Sequence, residues 1–110
     1  MSRNFCAFAK NVEEISIDQK IGQMIMTGFH GTKSSDKDVK KLLKYIKKGQ
    51  ITGVLLLKYN VENPEQLKQL VKTLKSAEKN GLPLLIAVDE EGGKVQRLSS
   101  SNGFMDFLSA

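Results

Sequence analysis

"ITGVLLLKYNVENPEQLKQLVKTLKSAEKNGLPLLIAV", residues 51–88, sets two apolar runs on either side of an amphipathic segment. Val54 to Leu57 and the run "LPLLIAV" are apolar without alternation, as strands covered on both faces are. Between them Asn63 caps a helix, and Pro64 takes its first position, where a missing N–H costs nothing. Leu67, Leu70, Val71 and Leu74 form its buried stripe, and Gly81, after Asn80, is expected to end it. The pattern is strand, helix, strand.

The same alternation extends toward the N-terminus. Ser16 and Gln19 make a capping-box pair ahead of a short helical turn. "QMIMTGF", residues 23–29, predicts a strand ending at Gly28, with Met24 and Met26 as core filler. Ser35, with Asp38 three residues later, is the expected cap of the next helix. Val39, Leu42, Leu43 and Ile46 recur at helical spacing, and Gly49 stops that helix. Strands and helices alternating through short polar loops predict an α/β fold of parallel strands with crossover helices, βαβαβ.

In such sheets chemistry gathers at the carboxyl ends of the strands. "GFHG", "KYNVEN" and "DEEGGKVQR" stand there. The last is the informative one, because fold stability alone gives no reason to place Asp89, Glu90 and Glu91 at the tip of a core strand. If the strand continued through them, Asp89 and Glu91 would share one face about 7 Å apart. That lies within the roughly 5 to 9.5 Å of glycosidase carboxylate pairs. Those pairs flank a bond, however, whereas neighbours on one strand approach it from one side. A fixed carboxylate suits another task, accepting hydrogen bonds from sugar hydroxyls. Gly92 and Gly93 free the backbone to turn with positive φ, and Arg97 then brings a fork of donors toward the same pocket. A capped strand end with solvated acids and an Arg–carboxylate bridge is the plainer alternative, and the residues alone leave both open.

Other chemistries fit less well. Asp89, Glu90 and Glu91 offer oxygens to magnesium or calcium, but EF-hand spacing is absent, and Lys94 and Arg97 repel a cation. Neither G-x-G-x-x-G nor G-x-x-x-x-G-K-[ST] occurs, so no metal and no cofactor is expected. His30, the single histidine, has no evident partner and reads as a solvated loop residue. Ser99, Ser100 and Ser101 read as a polar linker, with no G-x-S-x-G elbow around them.

The chain has 110 residues, enough for one modest core, and a net charge of +5. Lys37, Lys40, Lys41, Lys44, Lys47 and Lys48 fall on or beside the wet face of their helix, and no aromatics interleave with them. A solvated face is expected, with no nucleic-acid partner. One cysteine, Cys6, builds no internal disulfide, and no apolar run nears the roughly 18 residues of a membrane span.

"IAVDEEGGKVQRL" resembles the D-Q-E-G-G-R-V-Q-R signature of glycoside hydrolase family three, particularly its β-N-acetylhexosaminidase branch. "IDQKIGQMIMTGFHG", "ITGVLLLKYNVENPEQL" and "NGF" follow that family's order, so the resemblance covers roughly residues 15 to 110. It implies the early strands of a (β/α)8 TIM-type barrel, incomplete here, since such barrels take about 250 residues. It implies a retaining hydrolase of terminal β-linked N-acetylglucosamine, often from cell-wall fragments. Asp89 and Arg97 match the sugar-contacting positions, while Glu91, Gly92 and Gly93 match the supporting loop. Glu90 departs from the usual glutamine, Lys94 from arginine, and Tyr59 stands where members commonly carry arginine. The family's Lys-His, Asp-His and nucleophilic-aspartate segments lie downstream of the signature, so no catalytic residue is expected in this chain.

Residues 15–110 are thus expected to form the N-terminal part of such a barrel, its substrate a carbohydrate and its partner a complementing C-terminal chain. A basic, non-catalytic interaction module and a nonfunctional gene relic are the alternatives. Unpaired strand edges and uncovered apolar faces are expected of so few units. Residues 1–14 read as a tail or a clipped export signal, from Arg3 and the A-x-A-like Ala7-Phe8-Ala9. Their apolar stretch falls short of the 7 to 15 residues of a working signal, so the cytoplasm is the default location.

Overall fold

The computed structural model describes residues 12–108. The tail expected over residues 1–14 lies outside them, apart from a 3-10 turn at Val12–Glu14. Helix α1 (Ile17–Gly22) leads into strand β1 (Met26–Gly28), then α2 (Lys37–Lys47), β2 (Gly53–Leu56), α3 (Pro64–Ser76) and β3 (Leu85–Val88). A hairpin of β4 (Glu90–Gly92) and β5 (Val95–Gln96) follows. β1, β2 and β3 pair in that order, all parallel, as the alternation of apolar runs and amphipathic segments predicts. No helix among the described residues is long and apolar enough to cross a membrane.

The helix starts follow from local chemistry. Ser16 Oγ accepts from the Gln19 N–H at 3.2 Å while Gln19 Oε1 accepts from the Ser16 N–H at 3.3 Å, closing the capping box. Asn63 Oδ1 accepts from the Gln66 N–H at 2.9 Å, with Pro64 opening α3. One cap moves: Asp36, not Ser35, precedes α2, and its carboxylate turns back to the Thr32 and Lys33 N–H groups. The short "TKSS" loop needs those acceptors more than the helix does.

Helix stops divide into one match and one correction. α2 ends in a Schellman motif: Gly49 at φ +70 donates to Ile46 O (2.9 Å), and Gln50 donates to Tyr45 O (3.0 Å). α3 ends at Ser76, short of Gly81. The Glu78 carboxylate takes the Asn80 and Leu82 N–H groups, so the chain leaves the helix before the glycine is reached. The Asn80 side chain then donates to Lys47 O (3.0 Å) and accepts from Gln19 Nε2 (3.2 Å), tying the ends of α1 and α2 together.

Parallel register puts Thr27, Val54 and Ile86 on one face of the sheet, with Leu56 and Val88 one pleat further. That face carries the core, where α2 packs Val39, Leu42 and Ile46 and α3 packs Leu70 and Leu74 against Val54 and Leu56. Each such side chain contributes about 1.5–3 kcal/mol by leaving water. Met26, Gly53, Leu85, Leu55 and Ala87 point the other way. Met26 and Leu85 remain 45% and 55% exposed, so the strands expected to be covered twice are covered once. The bare apolar face is expected on the side of missing helices; α2 and α3 cover that side, and the bare face is the opposite one, which a closed barrel would turn inward.

Leu74→Ala removes a side chain with no exposed surface from the centre of this core. It is expected to cost about 2–5 kcal/mol in urea unfolding. Tyr45→Ala, at a 39% exposed position, is expected to cost under about 1 kcal/mol.

Candidate functional site

The carboxyl ends of β1, β2 and β3 lie at one edge of the sheet because the strands are parallel. The loops leaving them are joined by amide side chains. Asn60 is fully buried, and its side-chain oxygen accepts from the Leu57 N–H at 2.9 Å. Its Nδ2 donates to Phe29 O at 3.0 Å and Gly31 O at 2.9 Å, so the loop after β2 grips the loop after β1. Gln66 extends the join, donating to Thr32 O (2.7 Å) and Asn60 O (3.1 Å). Asn102 Nδ2 donates to Val61 O at 2.9 Å and brings the C-terminal segment against the same loops. Ser100–Asn102 is consequently a docked 3-10 turn and not the linker that its serines suggested.

His30 sits between the two carbonyls that Asn60 holds. Its ring stacks on Tyr59, with centroids 4.4 Å apart and planes within 11°. Both residues are exposed. The partner that the sequence did not offer to His30 is thus an aromatic ring from the neighbouring loop.

After β3 the strand does not continue. Asp89 breaks it, and Glu90–Gly92 turns into an antiparallel pair with Val95–Gln96, shifted in register between Glu90 and Gly92. The shared face expected for Asp89 and Glu91 is therefore lost; both are exposed, on either side of the break. The glycines do what their type allows. Gly92 has φ +76 and Gly93 φ +55, and Gly93 opens the two-residue turn as in a type II′ hairpin. A Cβ on Gly92 would stand 2.5 Å from Leu108 O, and the Gly93 N–H donates to Phe107 O at 3.1 Å.

The hairpin returns Arg97 to the strand end. Glu90 Oε2 accepts the N–H groups of Arg97 (3.1 Å) and Leu98 (3.0 Å). Glu90 Oε1 and Arg97 Nε are buried without a hydrogen-bond partner among the described residues. Buried polar atoms are rarely left so, which marks this corner as polar beyond what folding needs. Sequence reasoning missed Glu90, Asn60, Gln66 and Asn80; the one signal for them was a polar side chain within a few residues of a strand or helix end. An open cleft of about 290 Å³ lies elsewhere, beside the edge strand, between Thr27, His30, Leu42 and Tyr45, and neither Asp89 nor Arg97 lines it.

A family model described as the glycosyl hydrolase family 3 N terminal domain matches residues 16–105. A beta-hexosaminidase of Alkalilimnicola ehrlichii is 41% identical over 73 residues, 66% of this chain and 19% of the relative. One of Haemophilus influenzae is 40% identical over 67 residues, 54% of this chain and 18% of the relative. A family 3 beta-N-acetylglucosaminidase from Paenibacillus sp. superposes with a TM-score of 0.67 at 33% identity, covering 77% of this chain and 16% of that one. A beta-N-acetylhexosaminidase from Beutenbergia cavernae gives a TM-score of 0.68 at 29% identity, covering 86% of this chain and 28% of the other. The chain thus spans about a fifth of the length of those two curated relatives.

Glu90→Ala removes the acceptor for two backbone N–H groups, and hydrogen exchange at Arg97 and Leu98 is expected to speed about tenfold. Glu90→Gln keeps an acceptor and should stay within about threefold. Asp36 is held below the usual carboxylate range by the Thr32 N–H first and the Lys33 N–H second. Its contribution is complete above the ordinary aspartate value near 3.8 and is lost as pH falls through the lower folded value. The Thr32 amide should therefore lose protection on acidification in that window, and Asp36→Asn should abolish that pH dependence.

Proposed function

The chain belongs to glycosyl hydrolase family 3 through its N-terminal domain, and from that membership we propose that it supplies part of a carbohydrate site. The sugar is a terminal β-linked N-acetylhexosamine, as in a β-N-acetylhexosaminidase. Asp89 accepts hydrogen bonds from ring hydroxyls, and Arg97 donates to sugar oxygens. Glu91 with Gly92 and Gly93 forms the supporting turn. The bond-breaking groups are not in this chain, so its contribution is grip and orientation. The observation carrying this reading is the hairpin: it brings Arg97 back to the strand tip that bears Asp89, through two backbone hydrogen bonds to Glu90. A site for hydroxyls wants both an acceptor and a donor, and the pairing of Glu90 with Gln96 supports the reading by bringing the backbone of Arg97 beside that of Asp89.

The bare sheet face bearing Met26 and Leu85 supports a second element of the proposal. Further barrel units, from this polypeptide or from a complementing chain, cover that face and bring the groups that cleave the glycosidic bond.

Incubated with 4-nitrophenyl β-N-acetylglucosaminide, the 110-residue chain is expected to release no nitrophenol. Turnover by it alone would overturn the division between grip and cleavage. Titrated with N-acetylglucosamine by NMR, Asp89→Asn and Arg97→Ala should each bind about tenfold more weakly. Unchanged binding in both would remove them from the site.

A further inference from the structure

We propose that the stacked His30–Tyr59 pair is a platform for a second sugar ring, next to the one that Asp89 and Arg97 hold. It rests on the carbohydrate reading of those two residues and assigns a separate role to a separate pair of loops.

Three observations lead there. The stack stands at the carboxyl ends of β1 and β2, and β2 is the sheet neighbour of β3, which leads into the hairpin. The loop bearing Tyr59 and the Asp89 turn therefore leave adjacent strand ends. The aromatic pair is also absent from the hydrophobic core, and Tyr59 keeps 47% of its surface exposed. Finally, its position is fixed from beneath. Asn60 spends both amide donors on the carbonyls of Phe29 and Gly31, which flank His30, and its oxygen on the Leu57 N–H. Among the described residues, the most deeply buried polar side chain thus holds the loop that carries His30.

The chemistry of the ligand follows from the ring face. Stacked rings use their inner faces on each other and leave one outer face each. An aromatic face is electron-rich and attracts weakly positive C–H groups. A β-linked pyranose with equatorial substituents presents axial C–H groups on its ring faces, and one such face can lie flat on an aromatic ring. The platform therefore takes β-linked sugars of the glucosamine type through a ring face of C–H groups. Preorganisation by Asn60 spares the entropy of ordering two loops when the sugar arrives.

The test uses the 110-residue chain with labelled histidine and tyrosine rings, titrated with N,N′-diacetylchitobiose. The Tyr59 and His30 ring signals should move, and the sugar C–H protons should shift upfield from the ring current. Tyr59→Ala should weaken binding about fivefold, the loss of one aromatic contact, while Tyr59→Phe should keep it, since the face and not the hydroxyl is used. If the amides of Asp89 and Arg97 respond while both rings stay still and Tyr59→Ala binds as wild type, the platform is wrong and the carbohydrate reading stands. If neither set responds, both fall.

Discussion

One buried amide organises the working edge of this sheet. Parallel strands deliver their loops to a common side, and each loop carries backbone groups that need partners if it is to keep a shape. Asn60 supplies three such partnerships from a position with no exposed surface, joining the turn after β2 to the turn after β1. An amide suits the task because it both donates and accepts without a charge to desolvate. Gln66 and Asn102 then attach Thr32 and Val61 to the same network. Removing Asn60 alone would strand two carbonyls and one N–H, which is why the network fixes geometry more firmly than any surface ion pair would.

The sheet beneath is asymmetric. α2 and α3 cover one face, and Gly53 in the middle of the other lets Met26 and Leu85 close over the backbone; a Cβ there would meet Met26 Cε at 2.7 Å. Exposed methionine and leucine beside that glycine describe an interior surface turned outward. Such a face gains stability only when more parallel units wrap it, and the matched relatives are long enough to hold them.

How much of this was legible in the sequence depends on the kind of force involved. Burial leaves a periodic trace, so the unbroken runs at 54–57 and 84–88 and the stripes of α2 and α3 read directly as strands and helices in parallel order. Caps are nearly as visible, because Ser16, Asn63 and Gly49 each act within one turn of where they stand. Networks leave no period. Asn80 looked like the residue before a stop glycine, yet its partners are Lys47 and Gln19, far off in the chain. The break at Asp89 was hidden for a related reason. An apolar run entering acids reads as a continuing strand until the two left-handed glycines behind it are seen to fold the chain back.

Glu90 shows how a departure from a signature can spare geometry and alter character. The signature's glutamine would offer a carbonyl oxygen to the Arg97 and Leu98 N–H groups as well as the carboxylate does. The turn therefore does not require the charge. The second atom differs: glutamine would present a donor there, whereas Glu90 Oε1 presents a buried acceptor, in the same hairpin as the equally unpartnered Arg97 Nε. An unpaired buried donor or acceptor costs about 1–3 kcal/mol, so folding alone favours neither. The substitution thus changes the charge behind the turn without changing the turn's shape.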